Sequence, residues 1–274
     1  MPPDTIAPPA CDCHIHIYDL ESHPLPRAHP FAPPAAPWAD YLALRHDLGL
    51  GRCIIVQPMG YRFDNRCTLE ALAASKGTAR AIVALQPGTD PEILLQMNSL
   101  GVVGVRFMMV PNSGNIVTWD MLPLVAREIA DLGWHINLQL DGRDLHLYQD
   151  LLLSLPCPVV IDHIGKFLEP VPATDASFLR LCELLDTGRF WVKLSAPYET
   201  SRKGPPQYSD VGILARELAH RYTERCLWAS NWPHPGQRQR PDNAGLLALL
   251  DDWTPSAAAR EKILRWNPHA FYRF

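Results

Sequence analysis

Short, almost wholly apolar runs recur along this chain, and stretches with apolar residues at helical spacing lie between them. The runs are Cys11–Ile17, Cys53–Gln57, Ala79–Leu85, Val102–Met108, Trp134–Leu140, Val159–Ile164, Phe190–Ala196 and Cys226–Ser230. Most lack the alternation of a sheet with one wet face, as parallel strands covered by helices on both faces do. The junctions repeat as well. In "HDLGLGRCIIVQ", "SLGVVGVRFM", "DLGWHINLQL" and "DTGRFWVKLS" a helix closes on glycine just before a strand begins. Eight such units predict an α/β fold, a single-domain (β/α)8 TIM barrel over residues 1–274, with an open doubly wound sheet as the alternative.

Local signals agree with this frame. "TDPEILLQMNSLG" offers a capping residue, Pro and Glu in its first turn and a terminal Gly, and Pro123 of "TWDMLPLVAREIADLG" must fall in a first helical turn. The proline-dense segment "ESHPLPRAHPFAPPAAPW" is too irregular for an element and too short for a domain linker, so it reads as a loop over the barrel mouth.

Composition narrows the function classes. With 274 residues, 47% of them hydrophobic, the chain suffices for one large core. A net charge of −4 gives no basic patch for nucleic acid or an anionic membrane. "MPPDTIAPPA" has neither the positive nor the apolar region of a leader, and no run reaches the roughly 18 apolar residues of a membrane span, so a cytoplasmic protein is expected. The seven cysteines, several within apolar runs, read as reduced core residues. A homo-oligomer is compatible with all of this.

Barrel chemistry sits at the C-terminal ends of the strands. There His14 and His16 lie two apart, so both imidazoles share a face; Arg106 ends strand four, His163 follows Asp162 after strand six, and Asn231 leaves strand eight. Gln57, Gln139 and Asp141 also stand at strand ends, and Tyr198, Ser201 and Arg202 in the stretch after strand seven. A single buried histidine is usually structural, but three at strand ends in register point to a site. Asp162 reads equally as an orienting residue, and Lys193 lies mid-strand, where its side chain can face either way. His23, His29, His46, His135, His146, His220 and His269 read as structural or surface residues.

In order along the chain stand "DCHIH", "IVQ" followed by Asp64–Asn65, "GVRF", "IDHIG", "GPP" and "NWPHP". This set, spanning nearly the whole chain, resembles the amidohydrolase superfamily, amidohydrolase 2 type, and within it the lactonase branch of pyrone-dicarboxylate lactonases and aldarolactone isomerases. "QLDG", "DHIGKF", "YETSRK" and "NWPH" resemble the isomerases more closely. The resemblance implies a distorted, amidohydrolase-like barrel that processes a small carboxylated lactone. It further implies that His14, His16 and His163 polarise the lactone carbonyl, that Arg106 grips a carboxylate, and that Gln57, Gln139, Asp141, Tyr198, Ser201 and Arg202 line the substrate.

The metal sites of the superfamily take H-x-H, a strand-four carboxylate, two further histidines and a strand-eight Asp. This chain supplies His14, His16 and His163, with Arg106, Gln139 and Asn231 where the others would stand. A three-His zinc site is chemically conceivable, but a guanidinium and a neutral amide disfavour a dication, so no cofactor and no metal is expected. The resemblance to the lactonase branch likewise implies an enzyme that works without metal. Two departures shape the function. The second and third carboxylate-binding arginines of the pyrone lactonases fall at Asn112 and Glu199 here, with Arg202 and Lys203 just beyond. Asn231 replaces the Asp that takes a proton from water, as in the isomerases, although His14 keeps a histidine that the isomerases lack. Lactone hydrolysis and isomerisation therefore both stay open, with Asn231 favouring isomerisation or weak hydrolysis. The alternatives are a metal-dependent amidohydrolase or decarboxylase, or a catalytically silent carboxylate-binding barrel.

Overall fold

The computed structural model describes residues 6–26, 33–111 and 116–274. Eight parallel strands follow one another in a single sheet in chain order: β1 (Cys11–Ile15), β2 (Arg52–Val56), β3 (Ala79–Val83), β4 (Val102–Met108), β5 (His135–Gln139), β6 (Val159–Ile161), β7 (Phe190–Ser195) and β8 (Cys226–Ala229). The sheet closes just beyond β8. Ile15 bridges Trp232, Asn231 N–H donates to the His14 carbonyl at 3.0 Å, and His16 N–H donates to the Trp232 carbonyl at 2.8 Å. All eight sequence-derived strands are present. Several end earlier than the apolar pattern suggests, because the last residues of the runs turn out of the ladder to form the mouth: His163–Gly165 and Pro197–Glu199 are single tight turns.

Helices α1 (Trp38–Asp47), α2 (Arg66–Ala74), α3 (Pro91–Leu100), α4 (Leu122–Ala130), α5 (Leu145–Ser154), α6 (Ala176–Asp186), α7 (Ser209–Arg221) and α8 (Asn243–Trp253) connect or follow the strands. The capping chemistry is as the sequence proposes. Asp90 accepts from the Glu92 N–H at 2.8 Å ahead of α3, Pro91 opens it, and Gly101 ends it at φ 102°, a conformation that strains any other residue. Pro123 lies in the first turn of α4. The ends of the proline-dense segment are tied by the Tyr18–Ala36 bridge, and Trp38 already belongs to α1. Part of that segment, and Asn112, lie outside the described residues.

One apolar cluster joins the sheet to the helices, and a second fills the barrel with Cys11, Cys13, Ile54, Val56, Ile82, Val160, Leu227 and Tyr272. In a strict strand His14 would face away from Cys13. A register irregularity between Asp12 and Ile15 places Cys13 with this interior cluster while His14 reaches the mouth. All seven cysteines are free and buried.

Candidate active site

At the C-terminal ends of the strands, the barrel axis is blocked by a polar network. Lys193, fully buried, points inward: its Nζ lies 3.1 Å from Asp162 Oδ1 and 3.2 Å from His14 Nδ1, and it donates to Asn137 Oδ1. Asn137 Nδ2 donates to Asp162 Oδ2 at 2.7 Å. Burial by itself would raise the Asp162 carboxyl, but Lys193 and then His14 outweigh it and hold the group well below the usual carboxylate range. Burial lowers Lys193, and Asp162 opposes that shift.

The same network assigns the histidine tautomers. His16 Nδ1 lies 2.8 Å from the Val56 carbonyl, which only accepts, so the His16 hydrogen is on Nδ1. Burial, then Arg106, pushes His16 well below its ordinary pKa, so this ring is neutral and its Nε2 is a bare acceptor. His14 Nε2, 3.2 Å away, must donate to it. His14 Nδ1 then accepts from the Lys193 ammonium. Burial, then Lys193, likewise lowers His14 far below its ordinary range. Both nitrogens of both rings are thus engaged within the protein.

His163 differs. Its ring centroid is 5.1 Å from that of His14, its Nδ1 pairs with the Ser195 hydroxyl at 2.8 Å, and its Nε2 has no hydrogen-bond partner among the described residues. Burial lowers its pKa well below the ordinary value, so it too is neutral. It faces a cavity of about 290 Å³ that is also lined by His16, Arg106, Gln139, Lys166, Glu199 and Asn231. Arg106 donates to the Gln57 carbonyl at 2.9 Å and to Gln139 Oε1 at 3.0 Å, while its buried Nε–H has no partner among the described residues. Lys166 and Glu199 form an ion pair across the rim.

The orientation of Asn231 follows from its neighbours. A carboxylate only accepts, so the amide nitrogen faces Glu199 Oε1 at 3.0 Å and also donates to Tyr198 Oη at 3.0 Å. Tyr198 in turn pairs with His234 Nδ1 at 2.9 Å, and His234 Nε2 with Asn243 Oδ1 at 2.9 Å. Asn231 Oδ1 is left buried and unpartnered among the described residues. Asp12 locks the seam from behind, accepting from Ser230 N–H at 2.9 Å and from the Ser230 hydroxyl. Backbone strain gathers on this side of the mouth: His163, Ile164, Lys166, Ala196, Asn231 and His234 all hold positive φ. Non-glycine residues adopt that region at a cost, and such residues concentrate at functional sites.

The structure therefore brings together His14, His16, His163, Asn231, Arg106 and Gln139. It does not bring the other sequence candidates to the cavity. The Gln57 side chain is held by the Arg62 and Asp64 carbonyls and by Thr68; only its backbone carbonyl reaches Arg106. Asp141 pairs with Arg143 at 2.5 Å and caps the turn after β5. Ser201 bonds Asp210, Arg202 is exposed and paired with Glu169, and Tyr198 stands behind Asn231. Sequence reasoning gave no role to Asn137, Lys166 or Ser195, and no local signal marks them, since each becomes polar-site material only through a neighbouring strand.

His14, Asp162 and His163 could in principle hold a metal ion, with ligand atoms within 4.8 Å of one another. The donor set does not fit one while Lys193 is in place. Its ammonium already occupies the acceptors of Asp162 and His14, and a dication there would meet a buried positive charge.

The amidohydrolase family model matches residues 11–274. The chain belongs to the amidohydrolase family. Among curated relatives of this amidohydrolase, D-galactarolactone isomerase of Agrobacterium fabrum is 34% identical over 96% of the chain and 91% of its own length. The 4-sulfomuconolactone hydrolase of Hydrogenophaga intermedia is 32% identical over 97% and 89%, and the 2-pyrone-4,6-dicarboxylate hydrolase of Comamonas testosteroni 31% over 96% and 90%. A crystal structure of an Agrobacterium tumefaciens protein in its apo form superposes with a TM-score of 0.90 at 33% identity, covering 100% of this chain and 99% of that one. The amidohydrolase is thus an enzyme of a group whose named members open or rearrange lactones, and none of its described helices is long and apolar enough to cross a membrane.

Proposed function

We propose that the protein is a metal-independent enzyme that processes a small carboxylated lactone, of an aldaric acid or a dicarboxylate, and that ring exchange or slow hydrolysis is its reaction. The observation that carries this reading is the set of unmet groups at one small cavity: the free nitrogen of neutral His163, the buried Nε–H of Arg106 and the buried Oδ1 of Asn231. Among the described residues lining that cavity there is no Ser or Cys nucleophile, so the groups at hand polarise and orient the substrate. A neutral imidazole N–H suits the oxygen of an activated carbonyl. The guanidinium suits a carboxylate, and the amide oxygen accepts from a substrate hydroxyl. Asn231 itself takes no proton, which favours attack by a hydroxyl of the substrate, already held at high effective concentration, over attack by water.

The test is an NMR-monitored screen of aldaric acid lactones and pyrone carboxylates with chelator present. A ring-exchanged lactone or a ring-opened acid is expected to accumulate in chelator. Consumption of no lactone would refute the activity, and stoichiometric metal whose removal abolishes turnover would refute metal independence.

Arg106→Ala is expected to weaken binding of the carboxylate-bearing substrate by about 2 kcal/mol or more, roughly 30-fold, because a charge-assisted pair on a buried guanidinium is removed. Arg106→Lys recovers little, since an ammonium does not reproduce the planar fork. Calorimetric titration measures both; an unchanged affinity in the Ala variant would leave Arg106 with a purely structural role.

A further inference from the structure

An attacking hydroxyl must lose its proton whether it belongs to water or to the substrate, and the amide of Asn231 does not take it. Among the described residues lining the cavity, one carries a carboxylate: Glu199. It sits at the end of the turn Pro197–Glu199, which is reversed out of β7 by Ala196 at φ 47°, with Glu199 N–H donating to the Ala196 carbonyl at 3.1 Å. Its side chain is nearly buried, 13% exposed, and is held at two points. Oε2 pairs with Lys166, itself 9% exposed, and Oε1 accepts from Asn231 Nδ2 at 3.0 Å.

A rim salt bridge that served only to tie two loops together would have no reason to reach the cavity or to engage Asn231. Here each carboxylate oxygen keeps a lone pair beyond the one it gives to Lys166 or Asn231, and the group borders the same cavity as His163. The Asn231 amide nitrogen thus orients Glu199, while its buried oxygen has no partner among the described residues.

We propose that Glu199 is the proton-transfer base of this site, an inference that rests on the lactone reading above. As the attacking hydroxyl oxygen bonds to the lactone carbonyl carbon, its proton passes to the Glu199 carboxylate and the carbonyl electron pair moves onto oxygen beside His163. Collapse of the tetrahedral intermediate breaks the ring C–O bond, and the departing ring oxygen takes the proton back from Glu199. The base is regenerated, and no further reactant is required beyond the hydroxyl that attacks.

The experiment uses the full chain and a lactone that the parent turns over in the screen above. Glu199→Gln and Glu199→Ala are each expected to lower kcat by about 10²–10³-fold with KM within about threefold, in line with the usual contribution of a positioned base. Formate is expected to restore Glu199→Ala by at least about tenfold and to leave the parent and Glu199→Gln unchanged, because only the Ala variant leaves room for a carboxylate in the vacated place. Circular dichroism of Glu199→Gln reports whether the fold is kept. A kcat within about threefold of the parent in the Gln variant overturns the proposal. So does a change in KM alone, or a natively folded Ala variant that formate does not rescue. These results leave the lactone reading standing, whereas a parent that consumes no lactone removes that reading and the role of Glu199 with it.

Discussion

Replacing Lys193 with Met is expected to lower the stability of the protein by about 3–5 kcal/mol, the usual cost of removing one partner from a buried ion pair. Asp162 is fully buried, and without the ammonium 3.1 Å away the Asn137 amide is the donor it keeps among the described residues. The pH dependence gives the effect a sign. In the parent the Asp162 carboxyl is held below its unfolded value, so its contribution is present above the unfolded pKa and fades as pH falls. In the variant burial dominates and lifts the carboxyl above its unfolded value, so stability is lost as pH rises. Urea unfolding at pH 5 and pH 8 is therefore expected to show a larger deficit at the higher pH. Vacating the ammonium also frees the Asp162 and His14 acceptors, and zinc is expected to raise the midpoint of the variant but not of the parent. Equal stability of the two proteins at pH 8 would show that Lys193 is not the resident cation of this site.

Replacing His163 with Ala is expected to lower kcat by about 10²–10³-fold while KM changes little, the loss associated with one donor to a developing oxyanion. Its Nε2 is the ring nitrogen of the three mouth histidines that the protein leaves unengaged among the described residues, its other nitrogen being held by Ser195. His14 and His16 hold each other and the Val56 carbonyl, so their substitution disturbs the network as well as the chemistry. Steady-state kinetics on the lactone identified by NMR, with the fold checked by circular dichroism, decides the matter. A KM effect alone would move His163 from carbonyl activation to binding.

Much of the barrel is legible in the sequence because the signals are local. Apolar runs buried on both faces mark the strands, and Asp90, Pro91 and Gly101 delimit α3 through hydrogen bonds and backbone angles within a few residues. The spacing of His14 and His16 likewise fixes their common face. The site is legible only in part. Gln57, Asp141, Ser201 and Arg202 have the right chemistry at nearly the right places, yet each is satisfied by a neighbour, and no spacing rule foretells which polar group a loop will turn inward.

Asn231 shows the boundary most clearly. From the sequence it is an amide where the superfamily keeps a carboxylate, and the absence of a base follows. In the structure Glu199, 32 residues earlier, stands against it, so an aspartate at 231 would face a second carboxylate and the two would share a proton. The order of the strands, the helix caps, the family and the set of histidines can all be read without coordinates, since they rest on periodicity and on neighbours along the chain. That Lys193 points inward, which imidazole nitrogen is free, and that Asn231, Glu199 and Lys166 meet at one rim emerge only once the barrel is closed. Those facts depend on strand register and on loops turned back by positive φ, and they bring together residues that no local pattern links.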